Sequence, residues 1–283
     1  MSQERSAPAS RPAGRAVRAR DTYLPPLISV VTVVVAFLLI RAAVVSSPQW
    51  PRIKAQFFDV EAMVAVFPDV LGGFGINMAV WGIALVVIAL WALLIAILRD
   101  LHGPWFAPLR VFAVIYIDLL RGLPSLLLVL LFGFGVPALG IPGLPRSSLF
   151  WGATAMILSY SAYAAEVYRS GMDSVHDGQR AAAKALGLSQ GQTLRYAILP
   201  QAIRNVIPSL LNLAVALQKD VALLSVLGVR DAVREAQIFT ARTFNYSSLV
   251  AAALLFLVAT VPMARLTDFV TRKDRERRLQ RTT

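Results

Sequence analysis

Six long apolar runs constrain this chain more than any motif within it. They lie at about Leu24–Val45, Ile76–Leu98, Val111–Val136, Leu149–Tyr168, Ile203–Val229 and Leu249–Phe269. A bilayer core about 30 Å thick is crossed by roughly 20 apolar residues in a helix. Inside lipid every backbone N–H and C=O must be satisfied within the segment, so spans of this kind are helical. The expectation is an all-α polytopic membrane protein with about six transmembrane helices. Composition agrees: of 283 residues, 57% are hydrophobic and only 16% charged, where a soluble domain carries about 25% charged. One membrane domain is the natural unit, with no large soluble core.

The formal net charge of +12 raises the possibility of a nucleic-acid partner. The placement of the charges argues against it, because they gather in the two tails and in loops on one side of the membrane. With the N-terminus inside, the inner segments hold 18 Lys and Arg, from Arg5 through Arg99, Arg110, Arg169, Arg180, Lys184 and Arg195 to Arg281. The outer segments hold 6: Arg52, Lys54, Arg146, Arg230, Arg234 and Arg242. The positive-inside rule then places both termini in the cytoplasm. The chain has no cysteine, hence no disulfide framework and no cysteine metal site, which fits a bacterial inner membrane. His102 and His176 are lone loop histidines without metal-ligand spacing and read as surface residues. No lysine follows a glycine, so no P-loop for ATP exists. No nucleophile, base and oxyanion arrangement stands out, so the chain is not read as an enzyme, and no cofactor is assigned to it.

Along the chain, residues 1–23 form a basic tail with Arg5, Arg11, Arg15, Arg18 and Arg20, read as disordered. A signal peptide is rejected, since the next apolar run lacks a small-residue cleavage site and more spans follow. Residues 24–73 hold the first span and an external segment, 46–73, in which Trp50, Phe57 and Phe58 mix with charges as at an interface. Residues 74–269 form the main membrane domain, with an inner loop at 170–200, and 270–283 a second basic tail. The third span, Val111–Val136, contains Asp118, Arg121 and Pro124. The fifth run is interrupted by Asn205, Pro208, Asn212, Lys219 and Asp220 and is expected to kink or re-enter at Pro208.

The inner loop Asp177–Pro200, DGQRAAAKALGLSQGQTLRYAILP, carries the most local information. Asp177 can cap a short helix, followed by Gly178 and the helix formers Ala181, Ala182 and Ala183. Gly187 stands where a left-handed residue closes a helix, just before Leu188. Ser189 and Gln192 fit a capping box for a second helix, and Pro200 is expected to break it. A helix of alanines is narrow enough for close approach by another protein. An ordinary inter-span loop would share these features.

The segment GQRAAAKALGLSQGQTLRYAILPQAIRNVIPSLLN resembles the cytoplasmic EAA loop of ABC importer permeases, in the branch that imports polar amino acids. Ala182, Ala183, Gly187, Leu199 and Pro200 fall on the family pattern, whereas Ala181 replaces its glutamate and Ala197 its isoleucine. The resemblance covers about residues 74–268 and makes the first span an addition to a five-span core. It implies a permease subunit of type I architecture whose loop, through Asp177, Gly178, Ala181, Ala182, Ala183, Gly187, Leu188 and Pro200, couples to separate ABC ATPase subunits. ATP and Mg would bind on those partners. A second permease subunit, identical or related, and an extracytoplasmic solute-binding protein are implied as further partners, with the bilayer and no nucleic acid.

Three charged elements resemble family motifs. In YIDLLRGLP, Asp118 and Arg121 are spaced to pair on a helix, as a packing ion pair in preference to a direct solute contact. In YSAYAAEVYRSGM, Glu166 and Arg169 repeat that spacing, as a rigid link to the loop or an interfacial anchor. Lys219 and Asp220, followed by Val221 and Ala222 where the family has Thr-Ser, either line the path, with Asn212, or lock a half-helix. Adjacent helical residues do not face each other, so each needs its own partner. Two other functions are possible. An ion-gradient transporter would use Asp118, Glu166 or Asp220 as its proton site and show repeated broken helices. A membrane-anchored scaffold would act through its tails.

Overall fold

A computed structural model describes residues 19–175 and 177–280. His176, read above as a surface residue, lies outside the described residues, as does most of the N-terminal tail. By internal contacts the chain divides into residues 1–54 and 55–283. The first unit contributes α1 (Ala19–Val45), whose residues 28–45 are long and apolar enough for a span, and most of a short helix, α2 (Trp50–Phe57).

The second unit is built from eight further helices among the described residues. They are α3 (Val60–Asp100), α4 (Ala107–Gly122), α5 (Ser125–Ala138), α6 (Ser148–Asp173), α7 (Asp177–Ala185), α8 (Gln190–Leu227), α9 (Ala232–Thr243) and α10 (Ser247–Gln280). Helix α3 begins well ahead of the expected span at Ile76, so the latter part of the expected interfacial segment is one helix with that span. Asp59 starts it by accepting from the Ala62 N–H at 3.2 Å, and Glu61 complements the positive end of its dipole. Pro68 sits inside without ending it.

Three further expectations are corrected. The single third span is instead two helices, α4 and α5, bent by 102°. The cause is local: a residue before proline is driven out of the helical region, and Leu123, ahead of Pro124, is extended at φ −97°, ψ 139°. The chain does not re-enter at Pro208, since α8 runs as α-helix from Leu199 through Asp220. The change comes later, where the chain tightens into a 3-10 segment, Val221–Leu227, closed by Gly228 at φ 77°. Pro200 does not break it either. A π-helical segment, Thr193–Ile198, precedes it, and Pro200 stands just past its junction with the α-helical part, where the hydrogen-bond register changes and a missing N–H is accommodated.

Helix α6 is the axis of the unit, packed against α3, α4, α5 and α8. Its buried residues are mostly small, among them Gly152, Ala155, Ser159, Ser161, Ala162, Ala164, Ala165 and Gly171, and small residues let helix backbones approach. Among the described residues four helices are long and apolar enough to cross a bilayer, or five if the bent pair counts as one. Helix α6, expected as the fourth span, is not in that set, because its Ser, Tyr and Gly residues and Glu166 lower its hydropathy. A second, smaller core joins Val66, Val70 and Phe74 of α3 to Ala232 and Ala236 of α9 and Ala251 and Ala252 of α10. Here a Cβ on Gly73 would lie 2.4 Å from the Asp231 carbonyl carbon and 2.6 Å from the Ala232 nitrogen. The clash is with backbone and cannot be relieved by a rotamer, so Gly73→Ala is expected to destabilise the protein by about 1–3 kcal/mol. Thermal unfolding of the purified protein in detergent would measure it, and an unchanged midpoint would show that α3 and α9 separate easily.

Candidate functional site

The inner loop folds as a capped turn between two helices. Helix α7 ends in a Schellman motif: the Gly187 N–H donates to the Lys184 carbonyl at 2.9 Å and the Leu188 N–H to the Ala183 carbonyl at 3.1 Å. Gly187 takes φ 74°, as its position predicts. Ser189 then opens the next helix with a complete capping box. Its hydroxyl accepts from the Gln192 N–H at 3.3 Å, and the Gln192 side chain accepts from the Ser189 N–H at 2.8 Å. Two caps back to back fix the angle between α7 and α8 without a buried core.

Helix α7 begins at Asp177. Ala183 is buried, whereas Gly178, Ala181, Ala182 and Gly187 are exposed and Leu188 is half-buried. Ala183 therefore packs inward, and the other alanines stay open. Sequence reasoning missed Leu186, 80% exposed, which makes the outward face apolar. The loop is also tied to the spans. Arg180 lies 4.0 Å from Asp100 at the end of α3 and donates to the Met172 carbonyl at 3.4 Å. Asn205 of α8 donates to the Ser174 hydroxyl at 2.9 Å.

A charged cluster joins three helix ends beside this loop. Glu166 of α6 pairs with Arg99 of α3, with Arg169 one turn on at 3.1 Å, and with Arg121 of α4 at 3.8 Å. Arg169 also bonds Asp173 at 2.8 Å. Asp118 and Arg121 do not pair, contrary to expectation. Asp118 is exposed, while Arg121 reaches Glu166 and lies over the Tyr163 ring at 5.5 Å.

Lys219 and Asp220 diverge, as adjacent helical residues must. The Tyr160 hydroxyl donates to Asp220 at 2.6 Å, locking α8 to α6, and Lys219 is exposed. On α8, Gln201, Arg204, Asn212 and Lys219 share one exposed face. Among the described residues the side chains of Arg204, Asn212 and Lys219 make no hydrogen bond or ion pair. A polar, unpaired face on a helix this apolar is costly against lipid and is accommodated by water or by another subunit. Two pairings between elements, one part-buried and one buried, were not foreseen from the sequence. Thr260 of α10 donates to Gln218 at 2.5 Å. Asn77 of α3 donates to Asp231 at 3.1 Å, and Asp231 caps α9 by accepting from the Arg234 N–H at 2.9 Å. Burial pushes the Asp231 carboxyl above the usual carboxylate range, against the hydrogen bonds from Arg234 and Asn77.

The family model described as "Binding-protein-dependent transport system inner membrane component" matches residues 103–276. The arginine transport system permease protein ArtQ of Bacillus subtilis is 32% identical over 219 residues, covering 76% of this chain and 96% of that protein. The glutamate/aspartate import permease protein GltK of Escherichia coli O157:H7 is 29% identical over 222 residues, covering 76% and 98%. A crystal structure of an amino acid ABC transporter with histidines aligns with a TM-score of 0.67 at 30% identity, covering 76% of this chain and 98% of that one.

Proposed function

Because the chain belongs to the binding-protein-dependent transport system inner membrane component family, we propose that this permease subunit serves an importer of polar amino acids. Similarity to amino-acid permeases over nearly their whole length carries the reading. Membership in this family of ABC importers implies separate ATPase subunits and a solute-binding protein as partners. Two permease subunits, identical or related, form the pathway in an inner membrane. The chain crosses about six times with both termini cytoplasmic, and α1 is an addition to the core shared with relatives.

In this reading the exposed face of α7, with Ala181, Ala182 and Leu186, seats in a cleft of the ATPase, and Asp177, Gly178, Ala183, Gly187, Leu188 and Pro200 build and orient that helix. Closure of the ATPase pair around ATP moves both α7 helices together. The rigid turn at Gly187 and the ties to Asp100 and Met172 pass that movement to α8, α3 and α6. Glu166 and Arg121 hold the helix ends as one body, Asp220 holds α8 to α6, and Asp118 lies outside this pairing. Ala181, at the position of the glutamate in the EAA pattern that this loop resembles, makes the docking face apolar at that point.

Asn212 and Lys219 line the solute path. An ammonium there suits a carboxylate-bearing solute, and a charge-assisted hydrogen bond is worth about 1.5–3 kcal/mol. Lys219→Met is therefore expected to lower uptake by roughly tenfold or more at unchanged protein level, and undiminished uptake would remove Lys219 from the path. The reading as a whole is tested by uptake of labelled amino acids in cells with and without this gene, with ATP depleted or the ion gradient collapsed. Loss of one amino-acid class that follows ATP supports it. Uptake that follows the gradient identifies a secondary transporter instead.

A further inference from the structure

Helix α10 is too long for the membrane it crosses. Its 34 residues, Ser247–Gln280, extend about 50 Å at 1.5 Å per residue, against a hydrocarbon core of about 30 Å. Its first turn is pinned: the Ser247 hydroxyl accepts from the Asp59 N–H at 2.9 Å, and Tyr246 stacks on Phe57 at 5.2 Å. The excess length therefore emerges at the C-terminal end. There the apolar stretch gives way through Arg265 and Asp268 to Phe269, half-exposed, and the helix continues as VTRKDRERRLQ. The Arg272 guanidinium and the Lys273 ammonium lie 5.9 and 5.8 Å from the Phe269 ring centre. Both are exposed, and among the described residues neither is within ion-pair distance of a carboxylate.

We propose that this end of α10 is a binding site for anionic phospholipid headgroups of the inner leaflet, with Arg272 and Lys273 on the lipid phosphates. Three observations point to lipid. Charge marks the depth at which headgroups begin, since Arg265 and Asp268 already stand beside Phe269 and no apolar run follows Val270. The two cations stand within one turn beyond Phe269, held over its ring. They lead a run with Arg275, Arg277 and Arg278 that outweighs Asp268 on the near side and Asp274 and Glu276 within it, and basic clusters directly after a span attract anionic lipid. The inner-leaflet assignment rests on the topology proposed above.

The test uses the full chain purified in a neutral detergent and titrated with phosphatidylglycerol or phosphatidylcholine, counting retained lipid by native mass spectrometry. Each surface cation is worth about a fivefold change in lipid partitioning, so R272Q/K273Q is expected to lose more than tenfold of its apparent affinity for phosphatidylglycerol. Arg272→Lys, which keeps the charge, retains it, and inorganic phosphate at millimolar concentration does not compete. The proposal is overturned if phosphatidylcholine binds as well, if the double variant keeps its preference, or if the double variant instead loses only co-purification with the ATPase subunit. Topology is read separately: Thr271→Cys, in a chain otherwise free of cysteine, is expected to stay unlabelled by impermeant maleimide in intact cells. Labelling from outside overturns the orientation, and the inner-leaflet assignment with it, whatever the lipid titration reads.

Discussion

Gly187→Val is expected to abolish uptake while leaving the protein in the membrane at its normal level. Nothing lies within 4 Å of a Cβ placed on Gly187, so the effect does not come from a clash with neighbours. It comes from the backbone, which at φ 74° disfavours a β-branched residue. Strain of this kind costs about 1–3 kcal/mol, and each 1.4 kcal/mol lowers the population of the native turn about tenfold. The Schellman bonds from Gly187 and Leu188 are lost with the turn, and α7 no longer projects at a fixed angle. The spans do not depend on this turn, so folding and insertion survive. Gly187→Asn provides the control, because asparagine tolerates the left-handed region and is expected to retain most activity. The measurement is ATP-dependent uptake in cells that carry only the variant, normalised to membrane protein. Full uptake by the valine variant would sink the assignment of α7 as the coupling helix.

That turn was legible because its rules are local. Gly187, Ser189 and Gln192 each act on backbone within four residues, and all three did what their spacing predicts. Apolar length likewise located the helices, and the acid at 59 before an apolar run is an ordinary start signal, overlooked beside the charges of 46–73. Prolines were harder to read. Pro208 and Pro200 lie within helix that accommodates them, the second after a π-helical segment that single-residue rules do not foresee. Pro124 does break the chain, although the apolar run continues through it. Side-chain partners were harder still. Asp118 and Arg121 have the spacing of a helical pair, yet the guanidinium goes to Glu166, 45 residues further on. Gln218 finds Thr260 only because α8 and α10 lie side by side. An i,i+3 pair on a helix surface contributes only about 0.2–0.5 kcal/mol, so a better-shielded partner from another element readily displaces it. The first unit, with α1, has the hydropathy of a span and nothing in its sequence to say what it serves.

The same hierarchy yields the second large effect. Glu166 sits among Arg99, Arg169 and Arg121, with its side chain 20% exposed, against 25%, 41% and 42% for the arginines. Removing one member of a fully buried pair costs about 3–5 kcal/mol, because a charge is left unmatched. Partial exposure lowers that here, and Glu166→Gln, which leaves three guanidiniums facing one another, is expected to cost about 2 kcal/mol. Arg99→Gln is expected to cost less, since Glu166 keeps two partners. Arg121→Gln, at 3.8 Å and more exposed, belongs with surface pairs at about 0.5 kcal/mol. Thermal unfolding in detergent gives the order, and a double-mutant cycle between Glu166 and Arg99 gives the coupling. Three equal and small effects would mean a solvated patch, not a joint. If the joint is real, the loss reaches the loop. Arg99 precedes Asp100, and Asp100 is the carboxylate that Arg180 of α7 approaches at 4.0 Å. Loosening the end of α3 frees that contact, so Glu166→Gln is expected to speed amide exchange across residues 177–185 by several fold, while exchange in α9 stays unchanged. Faster exchange in α9 as well would mark general destabilisation and would separate Glu166 from the coupling path.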